Sequence, residues 1–173
     1  LEKNEKSCNR KNSFNFFINS LAIMKTLAKE NSHKVTVEAY VGKYYRSEIR
    51  RIAKYVDRLL VHVYVRDPKV GFNYANKRLE YLTEVTNMPK ISIIYSSETL
   101  HMGGWLKFNS LKKGERIFAD SMHNKNKDLL KKINFTDFTY YNYSFLAKSV
   151  KYYNSMHGDF KKINKAENIL ASN

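Results

Sequence analysis

Alternating apolar and polar positions mark four strands in this chain. The clearest is VTVEAYV at residues 35–41, where Val, Val, Ala and Val alternate with Thr, Glu and Tyr up to Gly42. Residues 59–65, 91–96 and 138–143 carry the same signal and are rich in β-branched and aromatic side chains. Pro68 and Pro89 lie just outside two of these segments, where a missing N–H breaks no ladder. We therefore predict four short strands.

Helical spacing fills the intervals between the strands. Ser13 is placed to cap a helix that runs to about Lys29. Its apolar stripe comprises Phe16, Phe17, Leu21, Met24 and Leu27 or Ala28. Further helices are predicted at about residues 47–56, 73–85 and 115–133, and after Ser144. Because helices separate the strands and no Asn-Gly or Asp-Gly turn joins them, the pattern favours a parallel α/β sheet with right-handed crossovers.

Length and composition limit the classes of protein to consider. The 173 residues suit a single α/β domain or a barrel fragment, with a core at about residues 13–155 and a helical tail at 156–173. No apolar run approaches the roughly 20 residues that a membrane span needs. The single cysteine, Cys8, excludes an internal disulfide, and the five histidines are scattered, so we predict no metal site and no cofactor. No compartment is indicated.

Strand parity separates an apolar face from a polar one. Glu38 lies on the polar side of the first strand, Tyr64 on that of the second, and Ser96 on that of the third. Strands covered by helices on both sides are apolar throughout. One polar face is instead typical of the inside of a barrel, whose functional site lies at the carboxyl ends of the strands.

The polar face supplies the candidate site residues. Glu38 and Glu98 are candidate catalytic carboxylates, since glycoside hydrolysis uses two such groups about 5–10 Å apart. The candidate substrate-binding residues are Tyr40, His62, Tyr64, Arg66, Ser96, Trp105 and Tyr143. Most of these residues also have a structural interpretation: Tyr40 and Tyr64 fill a core, Arg66 neutralises Glu38 or Glu98, His62 is hydrogen-bonded in the interior, and Trp105 covers the core.

Four segments carry a resemblance to a known family: VTVEAYVG at 35–42, LVHVYV at 60–65, ISIIYSSE at 91–98 and FTYYNYS at 138–144. They resemble the fifth to eighth strands of a glycoside-hydrolase-type (β/α)8 barrel, closest to chitinase-like barrels. Tyr64 looks like that family's sixth-strand tyrosine, although Val65 replaces the following aspartate, and the fourth-strand motif Asp-x-x-Asp-x-Asp-x-Glu does not occur. The resemblance implies a half TIM barrel that binds or hydrolyses carbohydrate, its other half missing from the chain or supplied by another copy.

The charge supports a rival hypothesis. Lys and Arg number 31 against 16 Asp and Glu, a formal net charge of +15, alongside 13 Tyr and 10 Phe. Basic residues interleaved with aromatic ones, as in KYYR at 43–46 and at 148–153, can bind single-stranded nucleic acid or another polyanion. However, no recognised nucleic-acid motif is present, and a solvated lysine-rich surface is the simpler explanation of the charge. A basic polyanion-binding protein without catalysis is therefore the alternative function.

Overall fold

A computed structural model describes residues 2–31 and 35–170, with side chains at 9–31 and 35–157. Its sheet consists of β1 (Glu38–Val41), β2 (Arg58–Val63), β3 (Lys90–Ser96) and β4 (Phe135–Tyr141). The strands are all parallel and follow the order β1-β2-β3-β4, with Ala39 opposite Leu59 in the first pair. The predicted α/β fold, with parallel strands in chain order, is confirmed.

Seven helices are described, together with a 3-10 helix at Pro68–Val70. They are α1 (Glu2–Glu30), α2 (Arg46–Ala53), α3 (Gly71–Leu82), α4 (Met102–Leu106), α5 (Leu111–Lys125), α6 (Lys127–Lys132) and α7 (Tyr143–Leu170). Helix α1 begins well before Ser13, which therefore does not cap it, and the segment predicted as one helix at 115–133 is two helices separated at Asn126. None of the helices in the described ranges is long and apolar enough to cross a membrane.

Burial follows the predicted strand parity on β1 and β2. Ala39 and Val41 are buried while Glu38 and Tyr40 are exposed, and Val61 alternates with partly exposed neighbours in the same way. In contrast, β3 is buried on both sides from Ile91 to Ser96. One apolar and one polar side on β1 and β2 is the pattern that the sequence predicts.

Contacts divide the chain into two compact units. The first comprises the residues up to His62 together with Asn76–Ile93 and Lys127–Asp137. The second comprises Val63–Ala75, Ile94–Asn126 and the residues from Phe138 onward. Strands β2, β3 and β4 contribute residues to both units.

In the first unit, α1 buries a different face from the predicted one. Phe14, Ile18 and Leu21 are buried, whereas Phe16 and Leu27 of the predicted stripe are exposed. Leu21 is the one member of the predicted stripe that is buried, and Met24 is exposed like Phe16 and Leu27. Because α1 is apolar on two sides, helical periodicity alone could not decide which side faces the core.

A buried carboxylate connects α1 to the start of α2. Arg10 donates from both terminal nitrogens to Glu48, at 2.6 and 2.8 Å, and the Tyr45 backbone N–H donates to Glu48 at 2.8 Å. Burial alone would raise the pKa of Glu48, but the hydrogen bonds from Arg10 and Tyr45 outweigh it, so this pKa lies below its ordinary value. The pKa of Asp57 is lowered likewise: burial opposes the shift, and hydrogen bonds from Lys25 and the Val37 N–H dominate.

Glu48→Gln is expected to cost about 1–2 kcal/mol at neutral pH, because it removes a charge-assisted acceptor. The pKa of Glu48 is lower in the folded state than in the unfolded state, so the unfolded chain binds more protons in acid. The wild-type advantage should therefore be complete above about pH 4.3 and shrink as the pH falls through the folded-state pKa.

Urea denaturation of both proteins across that pH range measures this difference. Asp128→Asn is the matched control, since Asp128 is 74% exposed in its pair with Lys131 and the change should cost less than about 1 kcal/mol. A stability difference between wild type and Glu48→Gln that grows towards acid would contradict the assignment.

Aromatic rings form the centre of the second unit's core. Phe118 of α5 is fully buried and meets Phe72, Tyr95 and Phe138 edge to face, with centroid distances of 5.8, 6.3 and 5.5 Å. Burial raises the pKa of Tyr95 well above its ordinary value. It does the same at Tyr140, whose hydroxyl donates to a carboxylate of α5. Both phenols are therefore neutral over the physiological range.

Candidate functional site

Polar and aromatic residues meet at the carboxyl ends of β2, β3 and β4, within the second unit. We name this group the strand-end cluster. Its members are Tyr64, Arg66, Ser96, Glu98, His101, Tyr141 and Asn142. In α/β proteins, loops at the carboxyl ends of parallel strands are the usual place for binding sites.

The centre of the cluster is the carboxylate of Glu98. Its Oε2 lies 3.4 Å from the Ser96 hydroxyl and 3.6 Å from Nδ1 of His101, and its Oε1 lies 3.4 Å from Nδ2 of Asn142. The side chain retains 36% of its exposure. Glu98 therefore accepts long hydrogen bonds from Ser96 and Asn142, has the His101 ring close by without a hydrogen bond to it, and still reaches solvent.

Two buried serines fix the backbone that carries Glu98. The Ser96 hydroxyl accepts the backbone N–H of Glu98 at 3.3 Å, so the turn after β3 closes on itself. Ser97 donates both its N–H and its hydroxyl to the Tyr141 carbonyl, at 3.0 and 2.9 Å, which ties the end of β3 to the end of β4. Both serines are fully buried, and their small side chains allow the ends of the two strands to approach this closely.

Three rings form the aromatic part of the cluster. Tyr64 and Tyr141 lie nearly parallel, with centroids 6.0 Å apart and planes inclined by 24°. The His101 ring approaches Tyr64 at 5.0 Å. Tyr141 is 48% exposed and Tyr64 is half-buried, so the tyrosine pair presents apolar ring surface beside the Glu98 carboxylate.

The loops position the remaining members. Arg66 donates from Nε to the Leu100 carbonyl at 3.2 Å and is otherwise exposed. Asp67 accepts the Lys69 N–H at 2.9 Å and so caps the 3-10 helix. Asn142 has a φ of 67°, a left-handed conformation that asparagine tolerates better than most residues, and it ends β4.

Of the predicted site residues, the structure joins Ser96 to Glu98 directly and Tyr64 to Glu98 through the His101 ring, and it fixes Arg66 on the carbonyl of Leu100, the residue before His101. Three other members were missing from the predicted set: His101, Tyr141 and Asn142. Tyr141 had the correct strand parity, and Asn142 follows the end of a predicted strand, so both carried a usable signal. His101 carried none, because its segment was interpreted as a loop centred on Trp105.

Glu38, Tyr40 and His62 belong to the first unit. Glu38 forms a two-pronged ion pair with Arg58, at 2.8 and 3.0 Å, and Arg58 also reaches Asp137 at 3.4 Å. The rings of Tyr40 and His62 lie 5.3 Å apart. The catalytic assignment of Glu38 stays a prediction. Its carboxylate is already neutralised by Arg58 of the neighbouring strand β2.

Trp105 and Tyr143 lie on helices. Trp105 belongs to α4, and its ring passes 3.2 Å from the point where a Cβ on Gly114 of α5 would lie. This packing agrees with the alternative of a tryptophan that covers the core. Tyr143 is the first residue of α7 and is 79% exposed, because the strand predicted to include it ends before Asn142.

The basic-aromatic segment at 43–46 is engaged in packing. The Tyr44 ring lies 5.9 Å from Phe14, and the Arg10 guanidinium lies 4.5 Å above the Tyr45 ring. Arg46 forms an ion pair with Glu84. Polyanion binding stays a prediction, and these contacts show that part of the segment has a structural use.

Among the described residues, no group of three or more His, Cys, Asp or Glu side chains is arranged to hold a metal ion. Comparison of the chain with protein-family models, curated proteins and solved structures gives no match.

Proposed function

We propose that the strand-end cluster is a carbohydrate-binding site. The observation that carries the proposal is the nearly parallel Tyr64–Tyr141 pair beside the anchored, partly exposed carboxylate of Glu98. A sugar ring has an apolar C–H face and a rim of hydroxyl groups. Tyrosine rings can pack against the face while a carboxylate accepts from the hydroxyls.

The charges of the cluster favour a neutral polyhydroxyl ligand. Glu98 supplies acceptors, and the exposed guanidinium of Arg66, held by its bond to the Leu100 carbonyl, supplies donors. A strongly anionic ligand would meet the Glu98 carboxylate next to the tyrosine pair, which costs free energy. This balance supports carbohydrate over polyanion as the ligand of this cluster.

We propose further that the four strands are half of a TIM barrel and correspond to strands five to eight of a glycoside-hydrolase-type fold. Support comes from the all-parallel strand order, from the polar parity of β1 and β2, and from the position of the cluster at the strands' carboxyl ends. In such barrels the ligand site lies at that end.

Binding is a better-supported function than hydrolysis. Two-carboxylate hydrolysis needs a second acid near the first. Glu38 is ion-paired with Arg58, and Asp67 caps the 3-10 helix. We therefore assign Glu98 the role of a hydrogen-bond acceptor for sugar hydroxyls, and a catalytic role would require a second free carboxylate.

Tyr141→Ala tests the proposal against a closely matched control, Tyr143→Ala. Cello-, chito- and xylo-oligosaccharides at millimolar concentration should raise the Tm of the wild type if one of them is a ligand. Loss of the Tyr141 ring should weaken binding about tenfold, equivalent to about 1.4 kcal/mol of stacking and burial. Tyr143→Ala should bind as the wild type does, because Tyr143 lies outside the cluster.

Calorimetric titration of the oligosaccharide that gives the largest Tm shift measures these affinities. Glu98→Gln should also weaken binding, since the amide offers one acceptor oxygen where the carboxylate offers two. Failure of all three oligosaccharide series to shift the Tm, or equal binding by the two tyrosine variants, would overturn the proposed site.

A further inference from the structure

Helix α1 has a second apolar face that points away from the core of the first unit. Phe16 is 75% exposed, Ile23 61% and Leu27 58%. With Ser20 these residues form a row spaced by four, three and four positions, the spacing with which one helix packs against another. We call Phe16, Ser20, Ile23 and Leu27 the outer seam. Large side chains exposed together in this way are typical of an interaction surface.

The side of α1 that carries the outer seam has no Lys or Arg side chain between residues 9 and 31, the part of this helix and its end for which side chains are described. The basic residues of this stretch, Arg10, Lys11, Lys25 and Lys29, project from other sides of the helix. Arg10 and Lys25 are ion-paired with Glu48 and Asp57. In a chain of formal charge +15, a cation-free stripe is a surface on which a second copy meets no direct like-charge repulsion.

The hydroxyl groups beside the large side chains are already satisfied within the helix. Ser20 donates to the Phe16 carbonyl at 3.0 Å, and Thr26 donates to the Ala22 carbonyl at 3.1 Å. Covering the seam therefore leaves neither hydroxyl without a hydrogen bond, and the usual cost of burying a polar group is avoided.

We propose that the outer seam binds the same helix of a second copy of this chain, in an antiparallel pair about a two-fold axis. An axis between Leu21 and Ala22 places Phe16 opposite the partner's Leu27 and, at the same time, Ser20 opposite the partner's Ile23. Large residues thus meet at both ends of the seam. In the middle, the small serine leaves room for isoleucine.

A groove at the end of the seam fits this arrangement. It has a volume of ≈ 560 Å³ and is lined by Met24, Leu27, Ala28 and Val35, among others. Met24 and Val35 are 45% and 50% exposed. The antiparallel register brings the partner's Phe16 to Leu27, so its ring can enter this groove. The pairing lies within the first unit and is independent of the carbohydrate proposal.

Sedimentation velocity over about 1–100 μM tests the pairing, with the wild type expected to dimerise. Phe16→Glu and Leu27→Lys each put one charge on the seam, and each change occurs twice in a two-fold dimer. The dissociation constant should rise about a hundredfold for each single variant, that is, about tenfold per altered contact. The double variant Phe16→Glu/Leu27→Lys sets opposite charges face to face and should recover much of the dimer.

Val70→Lys is the matched control, because Val70 is 51% exposed and belongs to the second unit. It should dimerise as the wild type does, and circular dichroism checks that every variant is folded. A wild type that stays monomeric at all concentrations overturns the proposal. So does a dimer that the single variants leave intact, and a double variant without recovery overturns the proposed antiparallel register, in which position 16 faces position 27 of the second copy.

Discussion

Gly103→Ala is expected to destabilise the protein by about 3 kcal/mol or more. A Cβ at position 103 would lie 2.0 Å from the carbonyl oxygen of Ser97 and 2.8 Å from the carbonyl of Glu98. These are backbone atoms and cannot rotate away as a flexible side chain would. The clash can be relieved only if the turn that carries Glu98 moves. That turn is held by a hydrogen bond of 3.0 Å from the Gly103 N–H to the Glu98 carbonyl, and the buried Ser149 donates to the Gly103 carbonyl.

Gly104→Ala provides the comparison one position along the same helix. Its Cβ would come no closer than 3.3 Å to the Thr99 carbonyl, and alanine gains up to about 1 kcal/mol of helix propensity over glycine. Urea denaturation should therefore show almost unchanged stability for Gly104→Ala. In a Gly103→Ala protein that remains folded, oligosaccharide binding should be lost, because Glu98 is displaced. Equal denaturation midpoints for the two variants would refute the close-contact argument.

Strand parity and the helical intervals were enough to predict the α/β class and the parallel order. Val61 and its neighbours alternate in burial as their sequence does, and no short turn joins two strands. The same reasoning was less successful at strand ends. The strand predicted to reach Tyr143 stops before Asn142, whose positive φ depends on the local fold.

Helix α1 shows why periodicity could not identify the core face. Phe14, Ile18 and Leu21 are buried, while Phe16 and Leu27 have the same hydrophobic character and are exposed. Both rows satisfy helical spacing, and only tertiary packing distinguishes them. Phe16 and Leu27 of the predicted stripe also belong to the outer seam, so the difference between prediction and structure marks the surface on which we propose that a second copy binds.

The candidate site was predictable where the carboxyl-end rule applied and not where it depended on contacts between distant residues. Tyr64, Arg66, Ser96 and Glu98 follow from strand parity and strand direction. Parity also selected Glu38, but it could not reveal that Arg58, on the neighbouring strand, pairs with that carboxylate. His101 reaches Glu98 because the chain turns back after β3, which no spacing in the sequence encodes.

Phe118→Ala should cost about 3–5 kcal/mol, the usual effect of removing a large buried ring. The cavity would open among Phe72, Tyr95 and Phe138, which meet Phe118 edge to face. Their ring contacts are lost together with the buried area, because the rings belong to separate elements that cannot all close the gap. Phe118→Leu should recover more than half of the loss, since it refills most of the volume.

Phe108→Ala is the control for Phe118→Ala. Phe108 is 56% exposed and contacts Tyr152 at a centroid distance of 5.8 Å, so its loss should cost less than about 1 kcal/mol. Urea denaturation of the three variants gives the comparison. Since β3 and β4 carry Tyr95 and Phe138 and end at the strand-end cluster, Phe118→Ala should also weaken oligosaccharide binding under conditions where it is still folded. If Phe118→Ala and Phe108→Ala prove equally stable, the aromatic core described for the second unit is wrong.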